Sequence, residues 1–170
     1  LDYLALVDIY GINPNYHSGD DVYTFSAKGG TFVIDAGGVD VIDATPFEGD
    51  AFIDLRQNSH SHVGVEHEYV SASFQLTISR HSVIEDVISG EGADFVVGND
   101  ADNTIATGRG DDVVIAGNGR DVVILGPGSN KVDLFEEEPA NDFIVFDDNP
   151  KNQFIEVYNF EVGGTCDVLV

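Results

Sequence analysis

The chain has 170 residues, enough for one domain of ordinary size with a core of its own, or for two small ones. Its 31 acidic and 7 basic residues leave a formal charge of −24, which excludes sequence-independent nucleic-acid binding and opposes compaction unless cations neutralise it. A hydrophobic share of 42% is nonetheless too high for simple disorder, and the single cysteine, Cys166, excludes an internal disulfide and a Cys-based zinc site.

Residues 1–10 carry the one good helical pattern. Leu1, Leu4, Ala5 and either Val7 or Leu6 with Ile9 can line an apolar face, and Gly11 stands where a glycine ends a helix. This start lacks the basic flank of a Sec signal, and no apolar run approaches the roughly 18 residues of a membrane span. Residues 22–55 hold short β-like runs, VYTF, TFVID, VDVID and AFIDL, separated by Gly, Asp and Pro. Within them DAGGVDVID, residues 35–43, is a partial copy of a motif that returns later. Residues 56–68 read as a polar loop containing His60, His62 and His67. Residues 69–79 then alternate apolar and polar, as a half-buried strand does.

The motif itself fills residues 89–133 as five consecutive nine-residue units: SGEGADFVV, GNDADNTIA, TGRGDDVVI, AGNGRDVVI and LGPGSNKVD. The sixth position is always Asp or Asn (Asp94, Asn103, Asp112, Asp121, Asn130). The eighth is always β-branched (Val96, Ile105, Val114, Val123, Val132). Positions two and four are mostly Gly. After residue 133 the register breaks at FEEEPAN, and the tail offers strands at Phe143–Phe146, Phe154–Tyr158 and residues 167–170. The chain starts without Met, contains none, and ends in a strand with no terminal signal. It is therefore expected to be part of a longer protein, with any export signal elsewhere.

The chemistry of one unit explains the spacing. Glycines allow a tight turn whose carbonyl oxygens converge, and the Asp or Asn adds a side-chain oxygen. A hard cation such as Ca²⁺ takes roughly six to eight oxygens and one turn supplies about three, so a cage needs two turns. Two units make one coil, unit n stacks on unit n+2, and position eight points inward. Val96, Val114 and Val132 then face Ile105 and Val123 across a thin core, and folding is coupled to metal. The outward positions Phe95, Val97, Val113, Ile115, Val122 and Ile124 are apolar. Cover by the N-terminal strands and tail is the favoured explanation, and a partner surface is the alternative.

These repeats resemble the RTX family, and their surroundings resemble the C-terminal domain of serralysin metalloproteases. The matching segments are ALVDIYGINP, HSGDDVYTF, DAGGVDVID and SVIEDVISGEGAD. The resemblance implies an all-β fold: a right-handed parallel β-roll over residues 87–135, a helix and β-sandwich-like strands over 1–86, and a truncated β tail over 136–170. It implies three roll sites for calcium. The first takes backbone oxygens of Gly90 and Gly92 with Asp94, closed by those of Thr107 and Arg109 with Asp112. The second takes Asn99, Ala101 and Asn103 with Ala116, Asn118 and Asp121, and the third Gly108, Gly110 and Asp112 with Leu125, Pro127 and Asn130. Two outer sites follow, one from His17, Gly19, Asp21, Asp35, Gly37 and Asp40, its neighbour from Gly38, Asp40, Val83 and Glu85. His17 stands where the family has Arg, and Asp21 and Val83 where it has Thr.

The implied role is calcium-dependent folding and stabilisation of a secreted, extracellular protein exported by a type I apparatus, as a monomer. One alternative is the tail of a zinc metalloprotease. That family's signature H-E-x-x-H-x-x-G-x-x-H does not occur here, so no catalytic residue is expected in this chain. A further alternative is an adhesive or carbohydrate-binding module. His60, His62 and His67 with Glu66 and Glu68 match no zinc signature, and zinc is not an expected cofactor. Glu136–Glu138 reads as a solvated acidic turn, Asp147 and Asp148 as a late calcium ligand or equally a β-turn, and Cys166 as a buried or incidental thiol.

Overall fold

Gly-rich turns and three-residue β-branched strands leave the chain one regular option, a coil that adds two strands per turn. The computed structural model describes residues 11–137, 140–146, 154–160 and 167–170. The helix expected over residues 1–10, and the expectations for Glu138, Asp147, Asp148 and Cys166, lie outside them. No helix occurs among the described residues.

The strands run β1 (Val22–Thr24), β2 (Thr31–Val33), β3 (Val41–Asp43), β4 (Ala51–Asp54), β5 (His60–Val63), β6 (Gln75–Ile78), β7 (Asp86–Ile88) and β8 (Phe95–Val97). They continue with β9 (Thr104–Ala106), β10 (Val113–Ile115), β11 (Val122–Leu125), β12 (Ser129–Asp133), β13 (Phe143–Phe146), β14 (Phe154–Tyr158) and β15 (Val168–Leu169). One sheet has the order β1-β3-β7-β9-β11-β13-β15 and the other β14-β12-β10-β8-β4-β5-β6-β2. This is an all-β solenoid. Its pairings are parallel except around β5, which runs antiparallel to both β4 and β6.

The predicted stacking of unit n on unit n+2 is the observed register. Val96 pairs with Val114 and Val114 with Val132. Position eight lines the core from both sheets: Ile42, Val87, Ile105, Val123 and Ile144 in one, Ile53, Val96, Val114 and Val132 in the other, all with no exposed surface. Each such side chain contributes about 1.5–3 kcal/mol by burial.

Three local expectations need correction. The segment read as a polar loop contains β5, with Ser61 and Val63 inward and His60 and His62 outward. A serine in the core position hid the alternation, and its hydroxyl accepts the Asp54 N–H at 3.0 Å. The strand expected over residues 69–79 forms only at Gln75–Ile78, with all four residues buried. Ahead of it the chain turns, with Ala72 N–H donating to Tyr69 O, and Phe74 takes φ 60° as its ring packs on Phe47. Finally, the described flanking strands extend the sheets edge to edge and do not lie over their outer faces. Phe95 and Ile124 remain exposed, while Val97 is buried.

Candidate metal centres

Along one edge of the coil the position-six residues form a ladder. Asp94 N–H donates to Asp112 Oδ1 and Asp112 N–H to Asn130 Oδ1, both at 3.0 Å. On the opposite edge Asn103 N–H donates to Asp121 Oδ1, and Asp121 N–H to Asp142 Oδ1, both at 2.8 Å. Asp142 N–H reaches Asp167 Oδ1 at 3.3 Å. Toward the N-terminus Asp21 N–H donates to Asp40 Oδ1 at 2.8 Å, and Asp40 N–H to Glu85 Oε2 at 2.9 Å.

Each acid thus spends one oxygen on the coil before it. The second oxygen is the informative one. Oδ2 of Asp40, Asp112, Asp121 and Asp142 is buried without a hydrogen-bond partner. A buried carboxylate left so is strongly unfavourable unless a proton or a cation joins it.

Burial is accordingly the largest cause of the carboxyl shifts here. It pushes Asp121 up to about 8, with like charge from Asp142, Glu136 and Asp102 adding to it. Asp112, Asp142 and Asp40 are pushed up to about 6, and Asp94 and Glu85 also rise, again through burial.

The turns bring backbone carbonyls to the same places. A Cβ on Gly108 would stand 1.8 Å from Gly90 O, and one on Gly110, at φ +135°, 2.0 Å from Gly92 O. Only glycine admits both approaches. The first predicted set, Gly90, Gly92 and Asp94 with Thr107, Arg109 and Asp112, therefore lies on stacked turns. In the second, Asn99 O and Ala101 O face Gly117 and Gly119, while Ala116 O and Asn103 Oδ1 converge on Gly98. Asn118 donates from its amide to Asp100 and accepts from Glu137 N–H.

In the third, Gly108 O and Gly110 O face Gly126 and Gly128 beside Leu125, but Pro127 O already accepts the Gly110 N–H. The Asn130 amide donates to Gly126 O, and the Asn103 side chain accepts the Asn99 N–H and donates to Asn99 Oδ1. The Asn positions satisfy themselves, while Asp112 and Asp121 keep an unpartnered oxygen.

At the N-terminal end Gly19 O meets Gly38, and Asp35 accepts from Gly37 N–H and Tyr23 OH. His17 O and Asp21 O each accept a main-chain hydrogen bond, from Ala36 and Val41. Val83 is exposed and lines a groove with Arg56 and Asn99.

Two groups of metal-competent side chains occur among the described residues, His17/Asp21/Asp35 and Asp121/Glu136/Asp142, each with its ligand atoms within 4.8 Å of one another. The second corrects the reading of Glu136 as part of a solvated turn, since Glu136 is half-buried beside Asp142. Its signal in the sequence was Asp142-Phe143-Ile144, the Asp-x-β-branched signature arriving 21 residues after Asp121. The histidines of β5 are engaged otherwise. His60 bonds Thr77 Oγ1 at 2.9 Å, and His62 stacks on Phe52 with its pKa lowered by burial.

The sequence pattern of the family described as Peptidase M10 serralysin C terminal matches residues 6–162. The chain belongs to the serralysin C-terminal family. It is 36% identical to a serralysin of Proteus mirabilis over 118 residues, covering 61% of this chain and 23% of that protein. Serralysin G of Dickeya chrysanthemi is 33% identical over 61% of this chain and 24% of its own length. The metallopeptidase AprA of Pseudomonas marginalis is 30% identical over the same shares. This serralysin C-terminal chain spans about a quarter of the length of these relatives.

Calcium fits the ladder residues. Their donors are carboxylate and carbonyl oxygens, the ligands of a hard cation, and the unpartnered Oδ2 atoms are where positive charge is needed.

Proposed function

We propose that this chain is a calcium-dependent folding module that supports type I secretion and extracellular stability of a larger protein. The observation that carries this is the set of buried Oδ2 atoms of Asp40, Asp112, Asp121 and Asp142, each lacking a partner. Calcium supplies the missing charge to carboxylates that the fold otherwise holds protonated. Asp94, Asp112 and Asp121 with the turn carbonyls hold the roll ions, and Asp142 with Glu136 extends the column past the repeats. The Asn103 and Asn130 positions contribute less charge and bind more weakly. Asp35, Asp40 and Glu85 carry calcium toward the N-terminus.

Extracellular modules bind calcium at about 10⁻⁴–10⁻³ M, so the chain stays extended in a calcium-poor cytosol, threads a secretion channel, and folds outside. Circular dichroism in EGTA and then in millimolar CaCl₂ tests this. A gain of β-structure on calcium addition is expected; a fully folded, unchanged spectrum in EGTA overturns it.

The relatives support a second statement, that the parent is a zinc metalloprotease. A sequence H-E-x-x-H-x-x-G-x-x-H upstream of Leu1 is expected, and a parent lacking it removes this reading. A partner-binding role has only the exposed Phe95 and Ile124 in its favour. Phe95→Ser and Ile124→Ser secreted and folded normally, yet losing a partner or glycan bound by the wild type, would support it. Unchanged binding would exclude it.

A further inference from the structure

Position five of the repeat, beside each ligand position, holds Ala93, Asp102, Asp111, Arg120 and Ser129. Asp102 and Asp111 are exposed and belong to none of the cation sites described above. Each nonetheless binds the next coil. Arg120 N–H donates to Asp102 Oδ1 at 2.9 Å, and Ser129 N–H to Asp111 Oδ1 at 2.8 Å. These bonds run backward along the chain, against the forward ladder of Asn103 N–H to Asp121 Oδ1 and Asp112 N–H to Asn130 Oδ1.

The two directions close a reciprocal box, residues 102 and 103 on 120 and 121, and residues 111 and 112 on 129 and 130. The same box recurs toward the N-terminus. Ala93 N–H donates to Asp50 Oδ1 at 2.9 Å while Ala51 N–H donates to Asp94 Oδ1 at 2.8 Å. Val39 N–H donates to Asp20 Oδ1 at 3.0 Å while Asp21 N–H donates to Asp40 Oδ1 at 2.8 Å. In every case the residue pinned by the outer carboxylate immediately precedes a position-six residue, so the main chain and the side chain of that residue are both anchored. Outer-shell partners orient metal-binding carboxylates in this way.

Where position five carries no acid, half of the box is missing. The junction between Asp94 and Asp112 keeps the forward bond alone, because Ala93, in register with Asp111, offers no side-chain acceptor. The junction between Asp121 and Asp142 likewise has Arg120 at that position.

We propose that Asp50, Asp102 and Asp111 are positioning residues for the cation ligands Asp94, Asp121 and Asn130, acting through a hydrogen bond and not through their charge. The inference rests on those ligands binding calcium, the reading given above. It makes the coils unequal: boxed junctions are held by the protein alone, whereas the Asp94–Asp112 seam is one that the ion itself must close.

Ala93→Asp tests this by completing the missing box at an exposed position. Although it adds a negative charge to a chain already at −24, A93D should lower the calcium midpoint of folding followed by circular dichroism, and Ala93→Asn should do nearly as much. In the other direction, Asp102→Ala should lower the folding equilibrium constant in millimolar calcium roughly twofold to tenfold, the worth of one hydrogen bond, and Asp102→Asn should restore most of it. The calcium-midpoint cost of Asp102→Ala should also shrink in an Asp121→Asn background, because the ligand being positioned has lost its charge. An A93D chain needing as much calcium as the wild type, Asp102→Asn as impaired as Asp102→Ala, or an equal cost in both backgrounds overturns the proposal. A wild-type chain already folded in EGTA removes the folding role alone. Calcium calorimetry then decides the positioning role: binding weakened in Asp102→Ala but not in Asp102→Asn supports it, and equal binding overturns it.

Discussion

The main-chain N–H of Asp94 donates to Oδ1 of Asp112, eighteen residues further on, at 3.0 Å. One carboxylate therefore has two separate oxygens to account for: Oδ1 splices adjacent coils, and the buried Oδ2, without a hydrogen-bond partner, is the proposed cation ligand. Asp112→Asn separates them, because the amide keeps the acceptor and loses the charge. The calcium midpoint of folding should rise several-fold, since Asp112 belongs to two of the proposed roll sites, while residual β-structure in EGTA should increase. Asp112→Ala should raise the midpoint further and reduce residual structure in EGTA, because it also leaves the Asp94 N–H buried and unpaired at a cost of about 1–3 kcal/mol. Calcium titrations by circular dichroism check this; an unchanged midpoint in D112N would discard the role of Asp112 as a ligand.

The metal-free chain should gain structure on acidification, opposite to the usual behaviour of a protein rich in paired carboxylates. The folded-state values of Asp112, Asp142 and Asp40 lie near 6 and that of Asp121 near 8, against about 3.9 in an unfolded chain. Between these limits the folded state binds more protons, so stability falls as pH rises from about 4 through 8. In saturating calcium the trend reverses, because the ion must displace those protons. Metal-depleted protein followed by circular dichroism from pH 8 to pH 5 should gain β-structure, and a loss would contradict the burial of these groups.

Gly108 has ordinary φ but no room, since a Cβ would stand 1.8 Å from Gly90 O and 2.8 Å from Gly90 C. Gly108→Ala must push two coils apart at the turn whose carbonyls are proposed to hold calcium, whereas a Cβ on Gly49 meets nothing within 4 Å. In millimolar calcium, G108A should lose about 1–3 kcal/mol or more in urea unfolding, and G49A a few tenths. Equal effects at both positions would remove the steric argument.

What was legible in the residues was whatever kept the nine-residue period. The β-branched column from Val96 to Val132 and the Asp column fixed the stacking, because a strand of three leaves one inward side chain and the turn one ligand. Elements that depart from the period are hidden in the sequence for identifiable reasons. Ser61 occupies a core position by satisfying Asp54 N–H, which disguised β5. The alternation of residues 69–79 promised a long strand, but the Tyr69–Ala72 turn and the left-handed Phe74 shorten it. The ring of His17 folds back onto Asp21, a contact that residue spacing alone does not show.

The column beyond the repeats gives the last prediction. Asp121 and Asp142 are 21 residues apart, three more than the coil period of 18, and Asp142 and Asp167 are 25 apart, seven more. The N–H-to-carboxylate splice is kept across both longer intervals, so the ladder outlasts the repeat. The insertion carries Glu136 to within ligand distance of Asp121 and Asp142. Glu136→Gln removes one of three converging charges without removing an acceptor. It should lower calcium stoichiometry by one ion per chain and bring the Asp121 carboxyl down toward its ordinary range in the metal-free protein, by relieving like-charge repulsion. Calcium-binding calorimetry and carboxyl titration by NMR in the metal-free, acid-folded chain measure the two effects. An unchanged stoichiometry with an unchanged Asp121 titration would place Glu136 outside the site.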